Sequence, residues 1–366
     1  MSDNEIDVVD VVDVVDVVDV VDVVDVVDVV DVVEKDKVQI TYVDTGTQVN
    51  LDEEELKERG DRIKLENVRK LIFGGGFLKG YGLLGCAKYL LEKDVVKNID
   101  TYIGSSVGAF VLMFLVLDYT EKEIAELIYT FDFHNFENFS MENLLNFNRH
   151  FGVDDGMKFV QFIKNAIYFK TKNYYITFKQ LYELNGKRFI VTGTNIELRT
   201  CEYFSHLTTP DMPIWLAVRI STCFPFFFNK VEYNGINYID GAASSNCAIE
   251  YIEDDLKETT DDTLCVILRS LNELEYKSID NENGKVKRGE NLNDDDEQYS
   301  FYNYLLDVFS SLRYQDVYRL KKYKYNLLEI ELHAKMYTEH ISREYIDILL
   351  VKGYELTKGF FGDLGL

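Results

Sequence analysis

Ile99-Asp100-Thr101-Tyr102-Ile103 is a β-prone run, and Ala109-Phe110-Val111-Leu112-Met113-Phe114-Leu115 is an unbroken apolar helical pattern; only Gly104-Ser105-Ser106-Val107-Gly108 separates them. A strand that turns so sharply into a helix needs small residues two positions either side of the apex, because Cβ atoms there collide with neighbouring backbone. Gly104 and Gly108 supply them. The apex side chain, Ser106, then stands at the carboxyl end of a strand and the amino end of a helix, where unpaired N–H groups and the helix dipole favour developing negative charge. That is the place of a nucleophile. The same pentapeptide also suits a plain tight turn, and the strand before and helix after it are what favour chemistry.

Upstream, Val68-Arg69-Lys70-Leu71-Ile72-Phe73 reads as a strand entering Gly74-Gly75-Gly76-Phe77-Leu78-Lys79-Gly80, with a helix from Tyr81 to Leu91 beyond. A glycine-rich turn of this kind invites a nucleotide. Neither G-x-G-x-x-G nor G-x-x-x-x-G-K-[ST] fits, however, since Lys79 stands where the last Rossmann glycine belongs. Glycines also let successive N–H groups converge on an oxyanion, and that role is expected here. Downstream, Asn234-Gly235 between Val231-Glu232-Tyr233 and Ile236-Asn237-Tyr238-Ile239 is a two-residue hairpin signal. The hairpin ends at Asp240-Gly241-Ala242, which sets a carboxylate at a strand end. No histidine accompanies either motif; His206 and His333 are left as alternative bases, with structural roles the simpler account of both.

Helix signals fill the intervening chain: the capping boxes Thr120-x-x-Glu123 and Thr177-x-x-Gln180, and a helix opened by Pro213 that carries Trp215, Ala217, Val218 and Ile220. Strands are expected at Arg188–Asn195, Cys201–Phe204, Leu264–Leu268 and Leu327–Leu332, and helices around Tyr302–Arg319 and Ser342–Lys358. The Phe-rich stretch from Phe131 to Phe151 suits a lid or an acyl-chain groove. Strands alternating with helices argue an α/β layer structure with a largely parallel sheet.

From Val68 to Glu250 the chain resembles the patatin-like phospholipases, with the motifs in that family's order. Gly74-Gly75-Gly76 with Lys79-Gly80 resembles its oxyanion stretch, Gly104 to Gly108 its nucleophile elbow, and Asp240-Gly241-Ala242 its D-G-[GA] motif. Ala217-Val218-Arg219-Ile220-Ser221, running to Phe224-Pro225, and Asn246 are similar to further family features. Two residues separate Gly76 from Lys79 where the family commonly has one. The resemblance implies a three-layer fold related to the α/β-hydrolases, its mostly parallel central sheet flanked by helices. It also implies a Ser106–Asp240 dyad cleaving lipid acyl esters of the phospholipase A type through an acyl-enzyme, with N–H groups of Gly75 and Gly76 at the oxyanion. No cofactor or metal is expected. Lys79 or Arg219 is a candidate contact for a substrate phosphate, against the simpler account of a structural cation.

Composition bounds the alternatives. The chain has 366 residues, 46% hydrophobic and 14% aromatic, and a formal net charge of −25, a balance that disfavours nucleic acid and gives no general attraction to anionic membranes. Cys86, Cys201, Cys223, Cys247 and Cys265 are odd in number and lack metal-ligand spacing, so buried free thiols are expected. Neither a signal peptide nor a bilayer-spanning run is evident, which predicts a cytoplasmic protein with peripheral contact at a lipid interface. Residues 8–31 repeat Val-Val-Asp eight times. A period of three collects the valines on no single face, so residues 1–36 are expected to be a disordered tail, the alternative being a carboxylate row that binds a partner or a cation.

The expected organisation is that tail, a charged linker over 37–66, a catalytic domain over 67–270, an acidic loop over 271–299 and a carboxyl-terminal extension over 300–366. Neutral acylglycerol hydrolysis or acyl transfer at the same dyad, an idle lipid-binding scaffold, and last a nucleotide-binding module are the competing functions.

Overall fold

The computed structural model describes residues 62–130, 147–270, 308, 319–332 and 342–362. The Val-Val-Asp tail, the linker up to residue 61, residues 131–146 of the aromatic stretch, the acidic loop over 271–299, nearly all of the expected 302–319 helix, and His333 lie outside the described residues.

Among them the strands are β1 (Lys70–Phe73), β2 (Thr101–Gly104), β3 (Gly152–Asp154), β4 (Arg188–Asn195), β5 (Thr200–Phe204), β6 (Phe226–Phe228), β7 (Val231–Tyr233), β8 (Ile236–Asp240), β9 (Thr263–Ser270) and β10 (Leu327–Leu332). The α-helices are α1 (Gly80–Glu92), α2 (Val107–Val116), α3 (Glu121–Thr130), α4 (Phe147–His150), α5 (Met157–Thr171), α6 (Phe178–Asn185), α7 (Ile214–Ser221), α8 (Glu250–Asp254) and α9 (Arg343–Phe360).

Side-chain alternation on the strands divides the hydrophobic interior in two. Leu71 and Phe73 of β1, Tyr102 of β2, Phe189 and Val191 of β4, and Leu264, Val266 and Leu268 of β9 enter one core, which α1, α2, α7 and α9 cover. Ile72, Ile103, Ile190, Cys265 and Ile267 point the other way, onto residues 247–252, Leu320 and Tyr323. A sheet buried on both faces is the three-layer α/β arrangement expected from the sequence.

The sheet order is β10-β9-β1-β2-β4-β8-β7, with β5 also pairing β4. From β10 to β4 neighbouring strands are parallel, while β8 and β5 pair β4, and β7 pairs β8, antiparallel. Strands β1 and β2 lie side by side in register, Phe73 beside Gly104, so the glycine loop and the elbow leave the same edge of the sheet together. Local signals hold: Thr120 and Glu123 close a capping box, as do Thr177 and Gln180, and Asn234 and Gly235 take the positive φ of the hairpin turn.

Two features depart from expectation. Phe226–Phe228 forms a strand that pairs in parallel with β3, a second small sheet with no alternating pattern to announce it. Cys247 and Cys265 are disulfide-bonded, which corrects the expectation of five free thiols; Cys86, Cys201 and Cys223 remain free. The partners lie on a loop and on a strand of the sheet, and they meet only because both face the second core.

Helix α9 crosses α1 at backbone contact. A Cβ on Gly85 would meet the carbonyl of Leu350 and approach the Tyr354 N to 2.8 Å, and one on Gly353 would strike the Gly82 carbonyl. Adding a methyl there forces rigid backbone apart. Gly353→Ala is expected to lower unfolding free energy by about 1–3 kcal/mol, read as a shifted urea midpoint at unchanged slope.

Candidate active site

Ser106 occupies the apex between β2 and α2 with φ 55° and ψ −131°, a conformation that L residues rarely adopt. The flanking glycines allow it: a Cβ on Gly104 would overlap Ala109 of the next turn, and one on Gly108 would overlap the Phe73 carbonyl of β1. The strained backbone turns the Ser106 N–H toward Ser221 Oγ, which accepts it at 2.8 Å. The side chain points the other way, and Ser106 Oγ donates to Asp240 Oδ2 at 2.6 Å.

Asp240 ends β8 and is only 2% exposed. Its second oxygen, Oδ1, accepts the Ala242 N–H at 2.8 Å, which fixes the carboxylate plane. Its own N–H donates to the Cys223 carbonyl at 2.9 Å, and its carbonyl accepts the Thr194 hydroxyl at 2.7 Å. Gly241 packs so tightly on Thr192 that a side chain there has no room. The acid is therefore held from both sides of the sheet turn.

The glycine loop completes the group. A Cβ on Gly75 would stand 2.8 Å from Ser106 Cβ and 2.9 Å from Ala242 Cβ, so the three sequence motifs meet at one point. The loop N–H groups, however, are unequally available. Gly74 N–H donates to the Val266 carbonyl at 2.9 Å, and Gly75 N–H to Asn246 Oδ1 at 2.7 Å. Neither Gly76 N–H nor Val107 N–H, the latter on the residue after Ser106, has a hydrogen-bond partner among the described residues.

Phe77 follows at φ 52°, a left-handed backbone that favours glycine, and its ring centroid lies 6.1 Å from those of both Phe224 and Phe227. Gly80 packs against Val107, and Lys79 is buried at the start of α1.

Ser106 and Asp240 open into a cavity of about 110 Å³ walled by Phe77, Phe110, Phe114, Phe159, Phe162 and Phe227. Neither cation considered for a phosphate lines it. Arg219 is 4% exposed, spends one guanidinium nitrogen on the carbonyls of Asp155 and Asn229, and lies 4.9 Å over the Phe228 ring. It braces the loops behind the cavity. His206 stacks on Tyr182 at 4.1 Å, and burial, reinforced by the charge of Arg188, pushes its pKa down. Among the described residues, no group of three or more His, Cys, Asp or Glu side chains is placed to hold a metal ion, and no helix is long and apolar enough to cross a membrane.

The profile of the patatin-like phospholipases matches residues 71–252, the span from β1 to α8 that carries all of these groups. The chain belongs to the patatin-like phospholipase family. Membership brings the general lipid-hydrolase activity of that family. An uncharacterized protein of Acanthamoeba polyphaga mimivirus is 26% identical over 291 residues, 79% of this chain and 84% of that protein. A protein of Invertebrate iridescent virus 6 named "Probable lipid hydrolase" is 29% identical over 190 residues, 51% of this chain and 64% of that protein. Among solved structures, VipD from Legionella pneumophila superposes with a TM-score of 0.52 at 16% identity, over 81% of this chain and 67% of its own, a likeness of fold.

Of the residues singled out from the sequence, the structure brings Ser106, Asp240, Gly75, Gly76 and Ala242 together and leaves Lys79 and Arg219 off the cavity. Ser221 was seen only as the end of a patatin-like stretch, with nothing in the sequence to connect it to the Ser106 N–H. Ser221→Ala leaves that donor without its acceptor. It is expected to cost about 1–2 kcal/mol in urea unfolding, with Ser221→Thr recovering most of that loss, since either hydroxyl can accept.

Proposed function

We propose that this patatin-like protein hydrolyses carboxylic ester bonds of glycerophospholipids through a Ser106–Asp240 dyad and an acyl-enzyme intermediate. The observation that carries this reading is the 2.6 Å hydrogen bond from Ser106 Oγ to Asp240 Oδ2 at the wall of an apolar, Phe-lined cavity. A serine hydroxyl is a weak nucleophile until a base within hydrogen-bond reach takes its proton. Asp240 is that base. As Oγ attacks the ester carbonyl, the proton passes to Asp240 and the carbonyl oxygen becomes an anion. The intermediate collapses by expelling the lysolipid alkoxide, which recovers the proton from Asp240. Water, deprotonated by the same carboxylate, then attacks the acyl-Ser106 ester; the C–Oγ bond breaks, Ser106 Oγ takes the proton back from Asp240, and the fatty acid leaves.

The donors left for the oxyanion are Gly76 N–H and Val107 N–H, because the Gly75 N–H is held by Asn246. Asn246 thus acts as a positioning residue that locks the loop, and the hole shifts by one residue from the Gly75–Gly76 pair expected from sequence. The spacing anomaly resolves in the same way. With Gly75-Gly76-Phe77 taken as the glycine triple, a single residue, Leu78, precedes Lys79, as in the family. Phe77 keeps the glycine's left-handed backbone and adds a ring to the cavity wall. A left-handed non-glycine residue costs about 1–2 kcal/mol, offset here by packing on Phe224 and Phe227.

The test is incubation with defined phospholipids and acylglycerols in EGTA, with released fatty acids identified by mass spectrometry. Wild type is expected to release fatty acid from phospholipid undiminished by chelation. Ser106→Ala is expected to lose that release and its labelling by a serine-reactive fluorophosphonate. Asp240→Asn should lower kcat by about 10²–10⁴. Full turnover in Asp240→Asn would dismiss the dyad, and preferred release from acylglycerols would move the assignment to neutral lipids.

Phe77→Gly is compatible with the loop backbone and removes one wall of the cavity. It should raise kcat/KM for long-chain over short-chain p-nitrophenyl esters by about tenfold. An unchanged chain-length profile would show that this ring does not bound the acyl site.

A further inference from the structure

Residues 156–182 carry Lys158, Lys164, Lys170, Lys172 and Lys179 and not one Asp or Glu, in a chain whose formal net charge is −25. The stretch covers α5, the turn after it and the start of α6. Helix α5 has two unlike sides. Phe159, Val160, Ile163, Ala166 and Ile167 are buried, and Phe159 with Phe162 lines the cavity that holds Ser106. At the complementary helical spacing, Met157, Lys158, Gln161, Asn165, Tyr168 and Phe169 are exposed, and Lys164 is half-buried.

The outer side is aromatic as well as basic. Phe169 is 55% exposed and Tyr175 59%, and Tyr168 and Tyr174 stack on one another at 4.2 Å. Lysines interleave with these rings. Lys164 Nζ stands 4.1 Å over Trp215 and 4.9 Å over Tyr175, while Lys172 Nζ lies 5.7 Å from the Tyr168 ring and 5.5 Å from Phe169. Lys170 is committed to Glu123 and is not counted among the cations of the face. Exposed rings of this density, on a stretch that itself carries no carboxylate and meets Glu123 only through Lys170, are unusual for a side that meets only water.

We infer that the outer side of α5 and the turn through Tyr175 form a docking surface for an anionic phospholipid bilayer. Tyr, Trp and Phe rings settle at the headgroup boundary, and lysines among them meet lipid phosphates. Charge complementarity selects this occupant. In a chain whose net charge is −25, attraction to an anionic surface must come from a local basic patch, and such a patch fixes which side turns to the membrane. The placement suits the proposed reaction, on which its purpose rests. A single helix, about 10 Å across, separates the docked face from the cavity that takes the acyl chain.

Co-sedimentation of the full chain as Ser106→Ala with vesicles measures docking apart from turnover. Binding to phosphatidylcholine vesicles containing 30% phosphatidylglycerol is expected to exceed binding to pure phosphatidylcholine by about tenfold or more, and to fall at high salt. Lys164→Glu with Lys172→Glu should remove that preference, and Phe169→Ser with Tyr175→Ser should weaken binding to both vesicle types. Urea midpoints near that of the parent establish that these surface variants are folded.

In the Ser106-containing protein, the lysine pair should depress hydrolysis of vesicle lipid while leaving hydrolysis of a soluble short-chain ester unchanged. Equal binding to both vesicle types, no binding to either, or charge reversal without effect on partition would overturn the docking surface. Loss of soluble-ester hydrolysis from the Ser106-containing protein itself would count against the esterase reading and leave the vesicle result standing.

Discussion

Ser106 is held in a backbone conformation that L residues avoid, and the residues around it are arranged to keep it there. Such a conformation costs about 1–3 kcal/mol and persists only where neighbours over-determine it. Gly104 and Gly108 remove the Cβ atoms that would collide with α2 and with the Phe73 carbonyl, and Ser221 accepts the N–H that the twist exposes. Because β1 and β2 are in register, fixing the elbow also fixes the glycine loop. The hydroxyl of Ser106 and the free N–H groups beside it are therefore set by one constraint.

What was legible in the sequence was local chemistry with a fixed geometry. A strand, a small-x-x-x-small turn and an apolar helix gave Ser106, and an Asn-Gly hairpin gave the strand end that carries Asp240. Capping boxes at Thr120 and Thr177 gave helix starts, and the run Leu71-Ile72-Phe73 gave a strand, whose two buried faces only the assembled sheet shows. The partners that hold these groups were not legible. Asn246 stands 171 residues from Gly75, and Ser221 stands 115 residues from Ser106, so nothing in either neighbourhood announces the hydrogen bond. The β3–β6 pair and the Cys247–Cys265 bond are likewise products of the assembled sheet. Nor does composition record φ: Phe77 takes a left-handed backbone that favours glycine under an aromatic side chain.

Net charge does not record how charge is distributed. A value of −25 describes the chain as a sum, and residues 1–61 alone contain 20 of its 64 acidic side chains against four basic ones. A surface interacts through what lies within about 8–10 Å of it, the screening length of physiological salt. The docking surface inferred above rests on this local balance, five lysines and no acid between 156 and 182, and not on the total.

Among the described residues no histidine lines the cavity beside Ser106 and Asp240, and the mechanism we propose there divides among two residues the work that a triad divides among three. In a triad the third member orients the base. Here that task falls to the backbone: the Ala242 N–H grips Asp240 Oδ1, leaving Oδ2 aimed at Ser106. Gly241 is what permits the tight turn that brings this N–H back onto its own strand end, since a side chain there would strike Thr192. The proposed base, the glycine after it and the strained elbow thus depend on one another: Gly241 lets the Ala242 N–H hold Asp240 Oδ1, and the twist at Ser106 brings its hydroxyl to Oδ2.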